Sequence, residues 1–349
     1  MHVYTLSGRL FDNKRALLFI IMLNTNQFSP WRLSTAPMLD WTNRHYRFMA
    51  RQLTKHTRLY TEMIHANALI YGKSDDFLLH NECEYPLALQ LGGSNPYTLA
   101  QATLIASKAG FTEINLNCGC PSPKVQKGAF GACLMKDVKL VAECINAMSD
   151  VTDSDITIKH RIGLDNDEDY NVLQDFVTYI SEKTSCNTFI IHARNAILAG
   201  LSPKENREIP PLKYDFVYKI KQDFPNLTIV VNGGISNNNE IAEHLNYVDG
   251  VMLGRAIYHQ PLIMRNWDNV FFNDNNPIIN DETIIDRLYN YAINEIKKGV
   301  PLRCMVTHWL GLFHGYAGAK RWRQILSDSN QLSFNKPELI YHAFNALHT

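Results

Sequence analysis

Short apolar or alternating runs recur along the chain, each followed by a longer stretch in which apolar positions take helical spacing. The runs are Arg32–Pro37, Arg58–Glu62, Leu87–Leu91, Glu113–Asn117, Ile156–Arg161, Thr188–His192, Thr228–Asn232 and Gly250–Gly254. Their lengths and bounding turn residues predict strands. Strands alternating with helices predict parallel βαβ units, and eight of them predict a closed (β/α)8 barrel. A doubly wound open sheet is the other arrangement such a pattern allows, but no GxGxxG follows the first run. Polar or conformationally special residues close nearly every run: Pro37 and Met38, Gln90, Asn117, Lys159, His192, Asn232-Gly233-Gly234, and Gly254-Arg255. Barrel enzymes build their active sites on that face.

The pattern changes after about Pro261. Asn273–Asn276 is polar and leads through Pro277 into helical spacing without strand runs. The expected organisation is a barrel over residues 30–272, a linker, and a small helical domain over 278–349. In that domain Thr307–Phe313 reads as an apolar helix face, and Tyr316–Leu326 mixes Lys320, Arg321 and Arg323 with Trp322. The first 29 residues fit neither part. Asn13–Leu23 sets a basic pair before an apolar run, as a weak signal peptide does, but no small-x-small site follows and the run is too short to span a bilayer. The expectation for residues 1–29 is an unstructured tail, or untranslated sequence ahead of a start at Met22.

Composition narrows the partners. Of 349 residues, 46% are apolar and 19% charged, ordinary for a soluble globular protein. Lys plus Arg and Asp plus Glu balance at 34 each, so a polyanion must be met by a local basic patch. Seven cysteines without a CxxC spacing point to reduced thiols and a cytoplasmic protein.

The chemistry centres on Glu113–Pro123. Ile114 and Leu116 alternate with Asn115 and Asn117, and then Gly119, Pro121 and Pro123 force a turn that holds Cys120 on a stiff polar loop. A lone Cys is ordinarily a small buried apolar residue; one set between Gly and Pro after a strand points to a chemical role. Cys118 adds no recognisable zinc spacing, so no metal site is expected. Asn232-Gly233-Gly234 and Gly254-Arg255 follow the last two strands, where barrels frequently bind phosphate, and Arg255 offers the pairing cation. Simple turns are the plainer reading of both. Lys159 shares a strand face with Thr157 and Arg161 and is either a barrel-lining cation facing an electron-rich group or a lysine reaching for the rim. His192 closes the sixth strand on the same face.

These stretches together resemble the tRNA-dihydrouridine synthases, most closely the A-type subfamily. The resemblance rests on Ala36–Thr42, Tyr60–Met63, Ala88–Gly93, Asn115–Ser122, Gly128–Met135, Ile191–Arg194, Gly200–Pro211, Asn232–Ile235 and Gly254-Arg255, and runs from about Pro30 to the C-terminus. The Cys-Pro loop belongs to the whole family, and Ser202–Pro211 to the A type. Cys118 stands where Val is expected, which leaves Cys120 as the catalytic candidate. The resemblance implies an FMN cofactor, with Ala36, Pro37, Met38 and Gln90 lining the flavin ring. It places Lys159 and His192 at the ring's edge, and Asn232, Gly233, Gly234, Gly254 and Arg255 on the ribityl phosphate. It puts Asn117 near the substrate base, and Lys204, Arg207, Lys320 and Arg323 on tRNA. Lys320 stands where the subfamily can carry Arg, so a bidentate clamp becomes a point contact.

The implied reaction is reduction of uridines in the tRNA D-loop (positions 20/20a) to 5,6-dihydrouridine with NADPH. The reduced flavin gives hydride to C6, and Cys120 gives a proton to C5; a thiol of ordinary pKa ~8.5 is mostly protonated at neutral pH. The target base must be extruded from folded RNA. No membrane and no obligate protein partner is expected. Two other readings stay open: an FMN barrel acting on a small molecule, for which Lys204, Arg207, Lys320 and Arg323 have no evident task, and a non-catalytic RNA-binding barrel, against which the intact Cys120 loop counts.

Overall fold

The computed structural model describes residues 28–347 apart from Lys73, 123–127, Ala129 and Glu168. Residues 1–27 of the unassigned extension, and Pro123 of the Cys120 loop, lie outside the described residues. Eight parallel strands form one sheet: β1 (Leu33–Thr35), β2 (Leu59–His65), β3 (Leu87–Gly92), β4 (Glu113–Cys118), β5 (Asp155–Arg161), β6 (Thr188–His192), β7 (Thr228–Asn232) and β8 (Gly250–Leu253). All eight runs in the sequence are strands, displaced by a residue or so at their ends and by three at the end of β2. β1 pairs with β8, and a parallel bridge between Ser34 and Arg58 brings β1 to the start of β2, so the sheet closes on itself.

The crossovers carry helices whose starts the sequence marks. Asn43 accepts from His45 and Tyr46 N–H ahead of α1 (Arg44–Leu53). Asn95 and Pro96 open α2 (Pro96–Lys108), Asp137 caps α3 (Val138–Ser149), and Asp169 caps α4 (Tyr170–Lys183). Each cap satisfies N–H groups that the first helical turn leaves without a partner. α5 (Tyr214–Asp223), α6 (Asn238–His244) and the single turn α7 (Arg255–His259) complete the ring.

Two apolar layers result. Ile114, Leu116, Ile158, Phe189 and Ile191 face the helices in the large cluster, while Trp31, Ala36, Tyr60, Ala88, Ile190, Val230 and Met252 fill the barrel interior. Because side chains alternate along a strand, Glu113, Asn115 and Asn117 of β4, and Thr157, Lys159 and Arg161 of β5, turn inward.

The C-terminal region packs on α1. Tyr291 of α8 (Asp281–Lys297) stacks on Phe48 at 3.9 Å and hydrogen-bonds His45 at 2.7 Å, and Arg44 pairs with the buried Glu295 at 2.5 Å. Trp309 donates its indole N–H to the His45 carbonyl. One hydrophobic cluster runs from the barrel through Ile284, Leu288, Trp309 and Trp322. Thr307–Phe313 is not the expected helix: the helical turns of Leu302–Val306 end before it, and the chain continues in tight turns with bonds such as Trp309 N–H to Val306 O. Gly311 lies within these turns. It lies so close to the Tyr258 and His259 carbonyls that a Cβ would stand 2.8 and 2.6 Å from them. No helix among the described residues is long and apolar enough to cross a membrane.

Candidate active site

β4 ends on its own turn. The side-chain oxygen of Asn117 accepts from the backbone N–H of Gly119 at 3.2 Å and of Cys120 at 3.1 Å, folding the loop back over the strand end. Ala132 N–H then holds the Cys120 carbonyl at 2.9 Å. Burial raises the Cys120 thiol above its ordinary value, while a hydrogen bond from the Ser122 backbone and then Arg161, Arg207 and Lys159 pull the other way. The thiol therefore carries its proton at neutral pH, and Arg161 and Arg207, with Lys159 when protonated, favour the thiolate once the proton is given up. Cys118 differs. It is fully buried among the apolar residues outside the barrel, and burial followed by the neighbouring Cys144 and Cys186 pushes its thiol well above the ordinary range.

Across the barrel mouth, Lys159 donates to the Asn232 side-chain oxygen at 2.9 Å, and Asn232 donates to the Met252 carbonyl at 2.8 Å. Although Lys159 keeps some accessible surface, its ammonium lies inside the protein; burial and then Arg161 bring its pKa down to about 7. His192 is buried, and burial followed by the surrounding cations holds its imidazole neutral. The glycines after β7 are both required. Gly233 has φ +116°, and a Cβ there would stand 2.4 Å from the His192 ring; Gly234 has φ +74°, and a Cβ there would stand 2.6 Å from Leu212. The ends of β8 and β1 meet where Ala36 N–H donates to the Leu253 carbonyl at 2.7 Å, so that Gly254, Ala36 and Met38 lie together.

Gln90 is buried, and both ends of its amide are engaged, with Asn115 at 2.7 Å and Asn117 at 2.8 Å. Arg255, expected to meet phosphate, pairs with Glu208 at 2.6 Å, and both side chains are over a third exposed. An exposed pair of this kind is worth little. Arg207 approaches Cys120 from the turn Glu205–Arg207, and Lys204 stands exposed beside it. Lys320 and Arg323 are exposed on α9 (Ala319–Leu326) of the C-terminal region, anchored by Trp322, which is buried and donates to the Trp309 carbonyl at 3.1 Å.

Arg161 was noted only as a strand residue, yet it ties the site together. Its buried guanidinium donates to the carbonyls of Gly119 at 3.2 Å, Asn195 at 3.1 Å and Asn206 at 3.0 Å. It thus joins the Cys120 loop to the loop after β6 and to the Ser202–Pro211 stretch. Its place two residues after Lys159 on an inward strand face was the available signal.

The Dihydrouridine synthase (Dus) family profile matches residues 34–347. The chain belongs to the dihydrouridine synthase family. Among curated relatives, the tRNA-dihydrouridine(20/20a) synthase of Vibrio parahaemolyticus is 51% identical over 298 residues, covering 85% of this chain and 91% of that protein. The protein of the same name from Yersinia pestis is 48% identical over 303 residues, covering 87% and 88%. That of Shigella flexneri is 47% identical over 312 residues, covering 89% and 92%. Cys120, Lys159, His192 and the glycines after β7 and β8 all fall inside the span that this dihydrouridine synthase chain shares with the family.

Proposed function

We propose that this chain reduces uridines of tRNA to 5,6-dihydrouridine in the cytoplasm, at positions 20 and 20a as the names of its relatives suggest, with FMN as cofactor and NADPH as reductant. The residues present suit a flavin phosphate. Gly233 and Gly234 bring backbone without a Cβ close to His192 and Leu212 at the strand ends, and among the described residues Lys159 has only the neutral Asn232 as hydrogen-bond partner. Asn232, Gly233, Gly234, Gly254 and Arg255 would hold the phosphate end, and Ala36, Pro37, Met38, Gln90, Lys159 and His192 would surround the ring. Bound FMN would supply the two-electron transfer from NADPH to C6 of the uracil.

This chain's residues supply the rest. Cys120 Sγ gives its proton to C5 as the new C–H bond forms, and the thiolate left behind is stabilised by Arg161, Arg207 and Lys159. Asn117, held by the Gly119 and Cys120 N–H groups and by Gln90, orients the base beside the thiol. Lys204, Arg207, Lys320 and Arg323 grip the RNA. The observation that carries this reading is the Cys120 loop held by Asn117 at the strand-end face of the barrel, with the buried Arg161 guanidinium bonded to the adjoining Gly119 carbonyl.

Cys120→Ala tests it. The variant is expected to bind FMN and to accept electrons from NADPH normally, since neither step needs the thiol proton. Oxidation of the reduced enzyme by unmodified tRNA is expected to slow by roughly 10²–10⁴-fold in single-turnover mixing. Cys118→Ala, altering a side chain outside the barrel, should lose some stability but keep that rate. A fast tRNA step in Cys120→Ala would refute the proton donor.

A further inference from the structure

The polar side chains that β3, β4 and β5 turn into the barrel form one hydrogen-bonded chain beneath Cys120. Asn117, which receives the Gly119 and Cys120 N–H groups, donates to Gln90 Oε1 at 2.8 Å. Gln90 donates to Asn115 Oδ1 at 2.7 Å, Asn115 to Thr157 Oγ1 at 2.8 Å, and the Thr157 hydroxyl to Glu113 Oε1 at 2.7 Å. Register produces this path: Gln90 lies beside Asn115 and Asn115 beside Thr157, while Glu113, Asn115 and Asn117 share the inner face of one strand. All of these residues are buried.

Every donor in the chain points toward Glu113. The two ends impose that polarity. Backbone N–H groups only donate, so Asn117 must turn its oxygen to the loop. At the other end Glu113 receives Trp31 Nε1–H at 2.9 Å, the Tyr60 hydroxyl at 2.5 Å and the Arg58 guanidinium at 2.8 Å, and acts only as an acceptor. Between such ends each carboxamide satisfies both neighbours in one orientation alone.

We propose that Glu113 and Thr157 are positioning residues for the Cys120 loop. The carboxylate at the barrel floor sets the orientation of Asn115, Gln90 and Asn117, and through them the turn that carries the thiol. Four residues of strand separate Glu113 from Asn117, so the influence acts over about 13 Å. If these residues merely filled the barrel, breaking the chain would lower stability without moving the thiol. The catalytic consequence rests on the reading of Cys120 as proton donor; the placement of the loop does not.

The test is Thr157→Val, which removes the linking hydroxyl and leaves the Arg58–Glu113 pair in place, with Thr157→Ser as the conservative variant. Alkylation of the full chain by iodoacetamide is followed site by site by mass spectrometry, taking the exposed Cys304 as reference. In Thr157→Val, Cys120 is expected to react faster relative to Cys304, because Asn117, held from the loop side alone, keeps the two loop N–H groups less firmly. kcat for tRNA is expected to fall roughly 10–100-fold, as for a small misplacement of a reacting group, with KM unchanged. Thr157→Ser is expected to restore both. Should Thr157→Val fail to fold, Glu113→Gln gives the same readout, since its amide can also donate to Thr157 and so reverse the chain. An unchanged Cys120-to-Cys304 ratio overturns the inference, and so does a shift that Thr157→Ser fails to restore. If wild-type protein makes no dihydrouridine, the proposed function fails while the alkylation ratio still decides the inference.

Discussion

Lys159→Met in the flavin-free protein separates what the lysine costs from what it does. Burial and Arg161 bring the Lys159 ammonium from an ordinary 10.5 to about 7, and no carboxylate among the described residues pairs with it. The direction follows from proton counts. Between about 7 and 10.5 the unfolded chain holds the proton and the folded chain does not, so folding becomes more favourable as pH rises through that window. At and below pH 7 the full penalty applies, on the order of 5 kcal/mol. Methionine removes the penalty but leaves the Asn232 side-chain oxygen without its donor, a loss of about 1–3 kcal/mol. The variant is therefore expected to be the more stable protein near pH 7 by a few kcal/mol. Its advantage should shrink by about 1.4 kcal/mol for each pH unit above 7 and vanish near about pH 9. Urea unfolding of both proteins, stripped of flavin, from pH 6.5 to 10 measures this. The same substitution should weaken FMN binding, because the ammonium unpaired in the free protein is the group an anionic ligand repays. A stability difference that does not vary with pH, or a variant that holds FMN as tightly as wild type, would refute the reasoning.

Two further outcomes follow from the same geometry. Gly233→Ala forces a side chain onto the His192 ring at a φ of +116°, so FMN retention should fall sharply in gel filtration while the melting temperature drops by only a few degrees. Lys320→Ala combined with Arg323→Ala should leave reduction by NADPH unchanged and flatten the slope of log affinity for tRNA against log salt by about 1–2, read from filter binding; an unchanged slope would place the RNA elsewhere.

Much of this was legible in the chain because it is local. Lys159 and Arg161 alternate along one strand, the glycine pair follows Asn232 directly, and Asn117, Gly119 and Cys120 make their turn within four residues. What escaped reading depends on residues distant in sequence. Glu113 looked like the mere start of a strand, but its buried carboxylate is made tolerable by Trp31, Arg58, Tyr60 and Thr157, which come from three separate stretches. The partner of Arg255 is Glu208, which lies 47 residues earlier and is brought near because β6, β7 and β8 lie side by side in the sheet. Thr307–Phe313 has helical spacing, but it runs in tight turns, and its Gly311 packs closely against the carbonyls of Tyr258 and His259, well before it in the chain.

The packing of Tyr291 on Phe48, and of Trp309 against His45, makes the barrel and the C-terminal helices one mechanical piece. If Lys320 and Arg323 grip the RNA as proposed, it would be measured as by fixed callipers, with one jaw on α9 and the other at Cys120. Which nucleotide is chosen would then be a matter of reach along the RNA from the grip, set by the packing of Tyr291 and Trp309 between the two. Trimming Tyr291 to a smaller residue would loosen the jaw, and the enzyme's fault would be counting rather than chemistry: neighbouring uridines reduced in place of the intended one.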